Sequence, residues 1–122
     1  MLIKRFEEMQ MWQDARTLTK HVYHVSSVGK FSKDYGLRDQ IQRASVSVMS
    51  NIAEGYERDN NKEFIKYLGY SKGSVGEVRS LLYVALDNEY ITELEFNELF
   101  EQCVFISQQL SNFEKYLRKS TR

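Results

Sequence analysis

Two histidines, one cysteine and a few acids and bases are the side chains here whose chemistry goes beyond packing. His21 and His24 stand three apart, which puts both rings on one face of a helix. A shared zinc would need a third protein ligand, and di-metal bundles draw Glu-x-x-His pairs from two helices. Neither histidine has a glutamate three residues before it, so both read as surface or groove residues with no metal site. Cys103 could serve as a nucleophile only beside a histidine in an open, cationic setting. Its apolar neighbours make it a small core residue instead. Glu54 and Glu77, with Arg43 and Arg79 near them in the pattern, read as ion-paired or interface acids, because buried charges persist when paired. Acid–base catalysis would also need a pocket and a group to polarise the substrate. Gly69, Gly73 and Gly76 follow no strand and form no phosphate-binding loop. The expectation is a non-enzymatic protein with no catalytic residues, cofactor or metal.

The elements that would position these side chains are helices. Residues 36 to 57 carry one apolar row, Leu37, Ile41, Ala44, Val48 and Ile52, and a second beside it, Val46, Met49 and Ala53. Only a strip with Asp39, Arg43, Ser47, Ser50 and Glu54 stays polar. A helix apolar on most of its circumference belongs at the centre of an assembly. Before it, Phe6, Met9, Trp12, Ala15, Leu18, Val22 and Val25 recur at helical steps, predicting a helix over about 6–27. Phe31 and Tyr35 in the connection should fold back onto the bundle. After it, Asn60 with Glu63 suggests a capping box opening a helix over about 61–88. Gly69, Gly73 and Gly76 share one face of that helix. Each costs it roughly 1 kcal/mol relative to alanine, so they predict close approach of another backbone, and Gly73→Leu should then be disruptive. Thr92 with Glu95 is a full capping box, and Phe96, Leu99, Cys103, Ile106, Leu110, Phe113 and Leu117 make an unbroken seam over about 93–118. Lys119 to Arg122 should fray. Four helices with short connections predict an all-α, antiparallel up-down-up-down four-helix bundle as a single domain, 1–122.

Composition narrows the class of function. The 122 residues include 17 basic and 17 acidic side chains and no proline, so no bulk charge draws the chain to nucleic acid or an anionic membrane. A single cysteine fits a reducing compartment. No segment approaches the ~20 apolar residues of a membrane span, and the first residues lack the apolar core of a signal peptide, so a cytoplasmic setting is expected. Charge is unevenly placed: Asp87 to Glu101 holds six acids and no base, whereas Lys115, Arg118, Lys119 and Arg122 close the chain. A further basic set, Arg38, Arg43, Lys62, Lys66, Lys72 and Arg79, spreads over the second and third helices and could form a nucleic-acid surface if several copies combined.

The run Tyr35-Gly36-Leu37, Gln40 to Val48 and Asn51-Ile52-Ala53-Glu54-Gly55 resembles the 23S rRNA intervening-sequence protein family. The likeness continues through Trp12, Ala15, Val22-Tyr23, Glu63-Phe64, Gly73-Ser74, Glu77 and Glu89-Tyr90-Ile91. Two departures are losses of proline: Met49 stands where members often carry it, and Phe31-Ser32-Lys33 replaces Phe-Pro-Lys. The resemblance implies a four-helix bundle assembling as a ring-shaped homopentamer with no established enzymatic activity. A related branch serves diversity-generating retroelements, binding a reverse transcriptase and nucleic acid. That branch is strongly basic and this chain is neutral. Arg43, Asn51, Glu54, Gly55, Gly73 and Glu77 are the expected structural and assembly motif, and Arg43→Ala and Glu54→Ala should weaken folding or assembly. The leading expectation is an oligomeric interaction scaffold able to hold a partner protein. RNA or DNA binding through helices two and three is the alternative.

Overall fold

A computed structural model describes residues 3–120. Every described element is helical: α1 (Gln10–Ser26), α2 (Tyr35–Glu57), α3 (Asn61–Asp87) and α4 (Glu93–Lys119), with single 3-10 turns at Phe6–Glu8 and Phe31–Lys33. Each helix packs on its chain neighbours and α1 also packs on α4, which is the contact pattern of a bundle. The α2/α3 pair shares the most extensive contact. The core is one cluster drawn from all four helices, including Leu18, Ile41, Ile52, Leu68, Leu82, Leu99 and Ile106.

Helix ends follow local chemistry. The expected single helix from residue 6 is instead a 3-10 turn and then α1, because Met9 is extended (φ −77°, ψ 127°). That kink drops the Met9 side chain into the core at 3% exposure. Gln13 Nε2 donates to Glu7 O at 2.8 Å, and Phe6 meets Trp12 edge to face at 5.2 Å. At the start of α2, Asp34 Oδ1 accepts from Leu37 N at 3.2 Å, while its Oδ2 accepts from Tyr90 Oη at 3.0 Å. Phe31 is fully buried and stacks on Tyr90 at 5.4 Å, so it folds back as expected. Tyr35 does not: it is 65% exposed, its ring covered only by the Arg38 guanidinium. Asn60 Oδ1 caps α3 by accepting from Glu63 N, and Thr92 and Glu95 form the complete reciprocal box on α4. The end of α4 runs through Lys119; Thr121 and Arg122, expected to fray, lie outside the described residues.

α3 runs unbroken through Gly69, Gly73 and Gly76, and here the close-approach expectation fails within the protomer. All three are exposed, and a Cβ built on any of them would meet nothing within 4 Å. They lie on the outward face of α3, and the tight glycine is Gly55 on α2. A Cβ there would come within 2.8 Å of Tyr67 Cβ and 2.9 Å of Phe64 Cδ1. Gly55 is what lets α2 and α3 close at this end of the bundle.

Buried hydroxyls tie the helices together. Ser71 Oγ donates to Val48 O at 2.6 Å across α2/α3, and Thr19 Oγ1 donates to Ser45 O at 3.0 Å across α1/α2. Gln42 Nε2 donates to Ser26 Oγ at 2.8 Å, and Ser26 Oγ donates to Val22 O. A buried hydroxyl with a cross-helix partner is costly to displace. These bonds therefore fix how α2 sits between its neighbours.

Candidate interaction surface

The Asn51-Ile52-Ala53-Glu54-Gly55 motif is an α2/α3 joint. Ile52 is fully buried and Gly55 makes the close approach. Asn51 Nδ2 donates to Ser47 O and Ser47 Oγ, and Ser47 Oγ accepts from Ser74 on α3 at 2.9 Å. Glu54 is exposed and pairs with Arg58 at 3.3 Å, one turn along its own helix. Arg58 also donates to Tyr67 Oη at 2.6 Å and lies over that ring at 4.9 Å. The expected pairing of Glu54 and Glu77 with Arg43 and Arg79 is therefore corrected. Glu77 accepts from Gln40 Nε2 at 3.2 Å, and both glutamates are too exposed to need a buried counter-charge. Arg43 is exposed and joins no ion pair or hydrogen bond among the described residues.

The basic set does not converge on one patch. Arg38 is held by Asp39 at 3.0 Å and by Ser32 O at 3.0 Å, beside Tyr35. Lys62 and Lys66 are one turn apart on the exposed side of α3. Lys72 reaches Ser111 on α4 at 2.6 Å, and half-buried Arg79 lies over Phe100 on α4 at 4.9 Å. Arg38 thus faces the α1/α2 connection, while Lys72 and Arg79 serve the α3/α4 seam.

The second apolar row of α2 lies on the outside of the protomer. Val46 is 39% exposed, and Met49 and Ala53 are half-buried. α1 runs beside this row but covers only its edge. Between the two helices is an open groove of about 850 Å3 whose lining includes Trp12, Tyr23 and Met49, with Arg16 and Lys20 among its polar residues. The Arg16 guanidinium sits 5.9 Å from the centre of the Trp12 ring. On the other side of α1, facing α4, a second depression is lined by His21, Glu98, Glu101, Gln102 and Phe105. Phe105 is 59% exposed. His21 Nδ1 and Gln102 Oε1 are 2.7 Å apart, and Asp14 Oδ2 is buried beside them without a hydrogen-bond partner among the described residues. Neither depression was anticipated from the sequence. Phe105 lies outside the seam spacing of α4, which is the signal in the sequence for an outward phenylalanine.

Neither depression brings Cys103 or a metal-binding set of side chains to the surface among the described residues. Cys103 is fully buried, and burial pushes its thiol up from 9.0 to about 12, with Arg79 pulling the other way. His24 is exposed and His21 is hydrogen-bonded to an amide, and no three His, Cys, Asp or Glu side chains cluster for a metal among the described residues. No described helix is long and apolar enough to cross a membrane.

A model of the 23S rRNA-intervening sequence protein family matches residues 7–112, spanning all four helices. The chain belongs to this family. A solved structure of similar fold is a protein of unknown function from Bacteroides thetaiotaomicron VPI-5482, assigned to the S23 ribosomal protein family. It is 19% identical with a TM-score of 0.78, covering 86% of this chain and 98% of that one. At that identity the likeness speaks to the fold alone. No curated protein matches the sequence. The matched segment includes the α2/α3 joint, both depressions' α1 residues, and Phe105.

Proposed function

We propose that this 23S rRNA-intervening sequence family member is a non-enzymatic scaffold that works as a homo-oligomer. The observation that carries this is the outward apolar row of α2. Val46 and Tyr23 are exposed, and Trp12, Tyr23 and Met49 line an open groove that one protomer leaves uncovered. Such faces mark subunit or partner interfaces. The connections support an antiparallel up-down-up-down order. Residues 58–60 and 88–92 can span no more than about 10–18 Å, far less than the length of helices of 23 to 27 residues. A closed ring, a pentamer as the family resemblance implies, would cover the row on every copy. An unpaired buried thiol suits a reducing, cytoplasmic setting. Sedimentation velocity at micromolar concentration is expected to give a defined oligomer with or without nuclease. A stable monomer overturns the reading.

A second reading is retained because Arg43, Lys62 and Lys66 are exposed and engage no partner among the described residues. Copies arranged in a ring could present them together to RNA or DNA. Affinity would then fall steeply with salt, and reversing Lys62, Lys66 and Lys72 to glutamate would abolish retention. Unchanged retention removes that surface. The reverse-transcriptase partnership of the retroelement branch is a weaker fit, since this chain has no net charge.

A further inference from the structure

The two depressions beside α1 are opposite in charge. We propose that they are the two halves of one heterologous contact. The acidic α1/α4 face of one protomer, with Phe105 at its centre, docks into the basic aromatic α1/α2 groove of a second copy. The inference rests on the oligomeric reading above and assigns the surfaces that would join.

Four charges carry it. Glu98 and Glu101 flank Phe105, and neither joins an ion pair or hydrogen bond among the described residues. Arg16 and Lys20 line the groove and are likewise unpaired, Arg16 having only the Trp12 ring beneath it. The groove's own acid, Glu7, is approached by Arg5 at 3.7 Å. A chain with no net charge thus carries an acidic face and a basic groove on either side of one helix. The apolar parts also match. Phe105 is 59% exposed, with no described side chain stacked on it, and the groove offers Trp12, Tyr23 and Met49 within about 850 Å3.

Symmetry selects the mode. A two-fold contact confined to either depression would put acid on acid or base on base, and like charges across an interface are unfavourable. A head-to-tail contact pairs Glu98 and Glu101 with Arg16 and Lys20 at every junction. Repeated head-to-tail contacts close into a ring where the rotation between copies closes and run on as an open filament where it does not.

The test is a charge swap between surface positions, so folding is not at stake; circular dichroism of each variant checks that. Wild type, Arg16→Glu, Glu101→Arg and the double variant are compared by sedimentation velocity over a concentration series. Each single variant should raise the dissociation midpoint about tenfold or more, and the double variant should return to within about threefold of wild type. Mixing the two single variants should recover part of the association, since junctions between unlike copies are charge-matched while any junction between like copies stays mismatched. Phe105→Ser should weaken assembly without changing its salt dependence. If wild type assembles but the single variants do so equally well, or the double variant is no better than either single, the assignment of faces is wrong and the scaffold reading survives. If wild type is monomeric, both fall.

Discussion

Gly55 sits tighter than the other five glycines, and the contrast with Gly73 makes a sharp prediction. Alanine at 55 would place a Cβ 2.8 Å from Tyr67 Cβ, an atom next to the α3 backbone that cannot swing aside. Overpacking of this kind costs about 1–3 kcal/mol, against a helix-propensity gain of about 1 kcal/mol. Gly55→Ala should therefore lower stability, by up to about 2 kcal/mol. Gly73→Ala meets open space and should raise it by about 0.5–1 kcal/mol. Urea unfolding of both variants decides the matter, and equal effects would mean the α2/α3 joint is looser than described. Cys103 makes a second prediction at this scale. Its thiol ionises near 9.0 when unfolded and near 12 when buried, so between those values only the unfolded chain loses the proton. Stability present below pH 9 is then lost as pH rises, by about 1.4 kcal/mol at pH 10 for this group alone. The wild type should therefore lose more stability from pH 8 to pH 10 than Cys103→Ala does. Parallel pH profiles would show that the thiol is not confined.

At the scale of the element, the two helix starts differ in a way that mutation can read. α4 opens on a reciprocal box, with Thr92 Oγ1 accepting from Glu95 N at 3.0 Å and Glu95 Oε1 accepting from Thr92 N at 2.9 Å. α3 opens with the Asn60 side chain alone bonded to the turn. Thr92→Ala should cost about 1 kcal/mol in thermal or denaturant unfolding. Adding Glu95→Ala should cost little more, because the two bonds form together. A fully additive double variant would argue against a cooperative cap. These starts were legible in the sequence because capping is local chemistry within four residues, and the α4 seam was legible because seven apolar positions kept one period. What escaped was whatever depended on which way a face turns. Periodicity marks Gly69, Gly73 and Gly76 as a stripe, but it cannot say that the stripe faces outward. The break at Met9 escaped for a related reason: helical spacing and a kinked turn put its side chain equally well toward the core. The pairing of Glu54 with Arg58 in preference to Arg43 also turns on exposure, which sequence spacing does not carry.

For the whole molecule, the question is whether the fold is complete as one chain. The core inside the protomer is closed, with all four helices contributing fully buried side chains. Val46, Ala53 and Phe105 stand outside that core, and Met49 packs against it from the side. A single chain should therefore fold, and assembly should add stability on top. By mass action, anything that binds only the native state stabilises it in proportion to the logarithm of its concentration. For a self-associating protein the binder is the protein itself. The melting temperature of the wild type should therefore climb with protein concentration, by a few degrees from about 1 to 100 µM. Arg16→Glu, if it breaks the contact, should melt cooperatively at the wild type's low-concentration value and stay there at every concentration. That outcome separates assembly from folding in one variant. A wild-type melting temperature that does not move with concentration would mean the outward apolar row is left uncovered by other copies. The same row would then be free for a partner of different sequence.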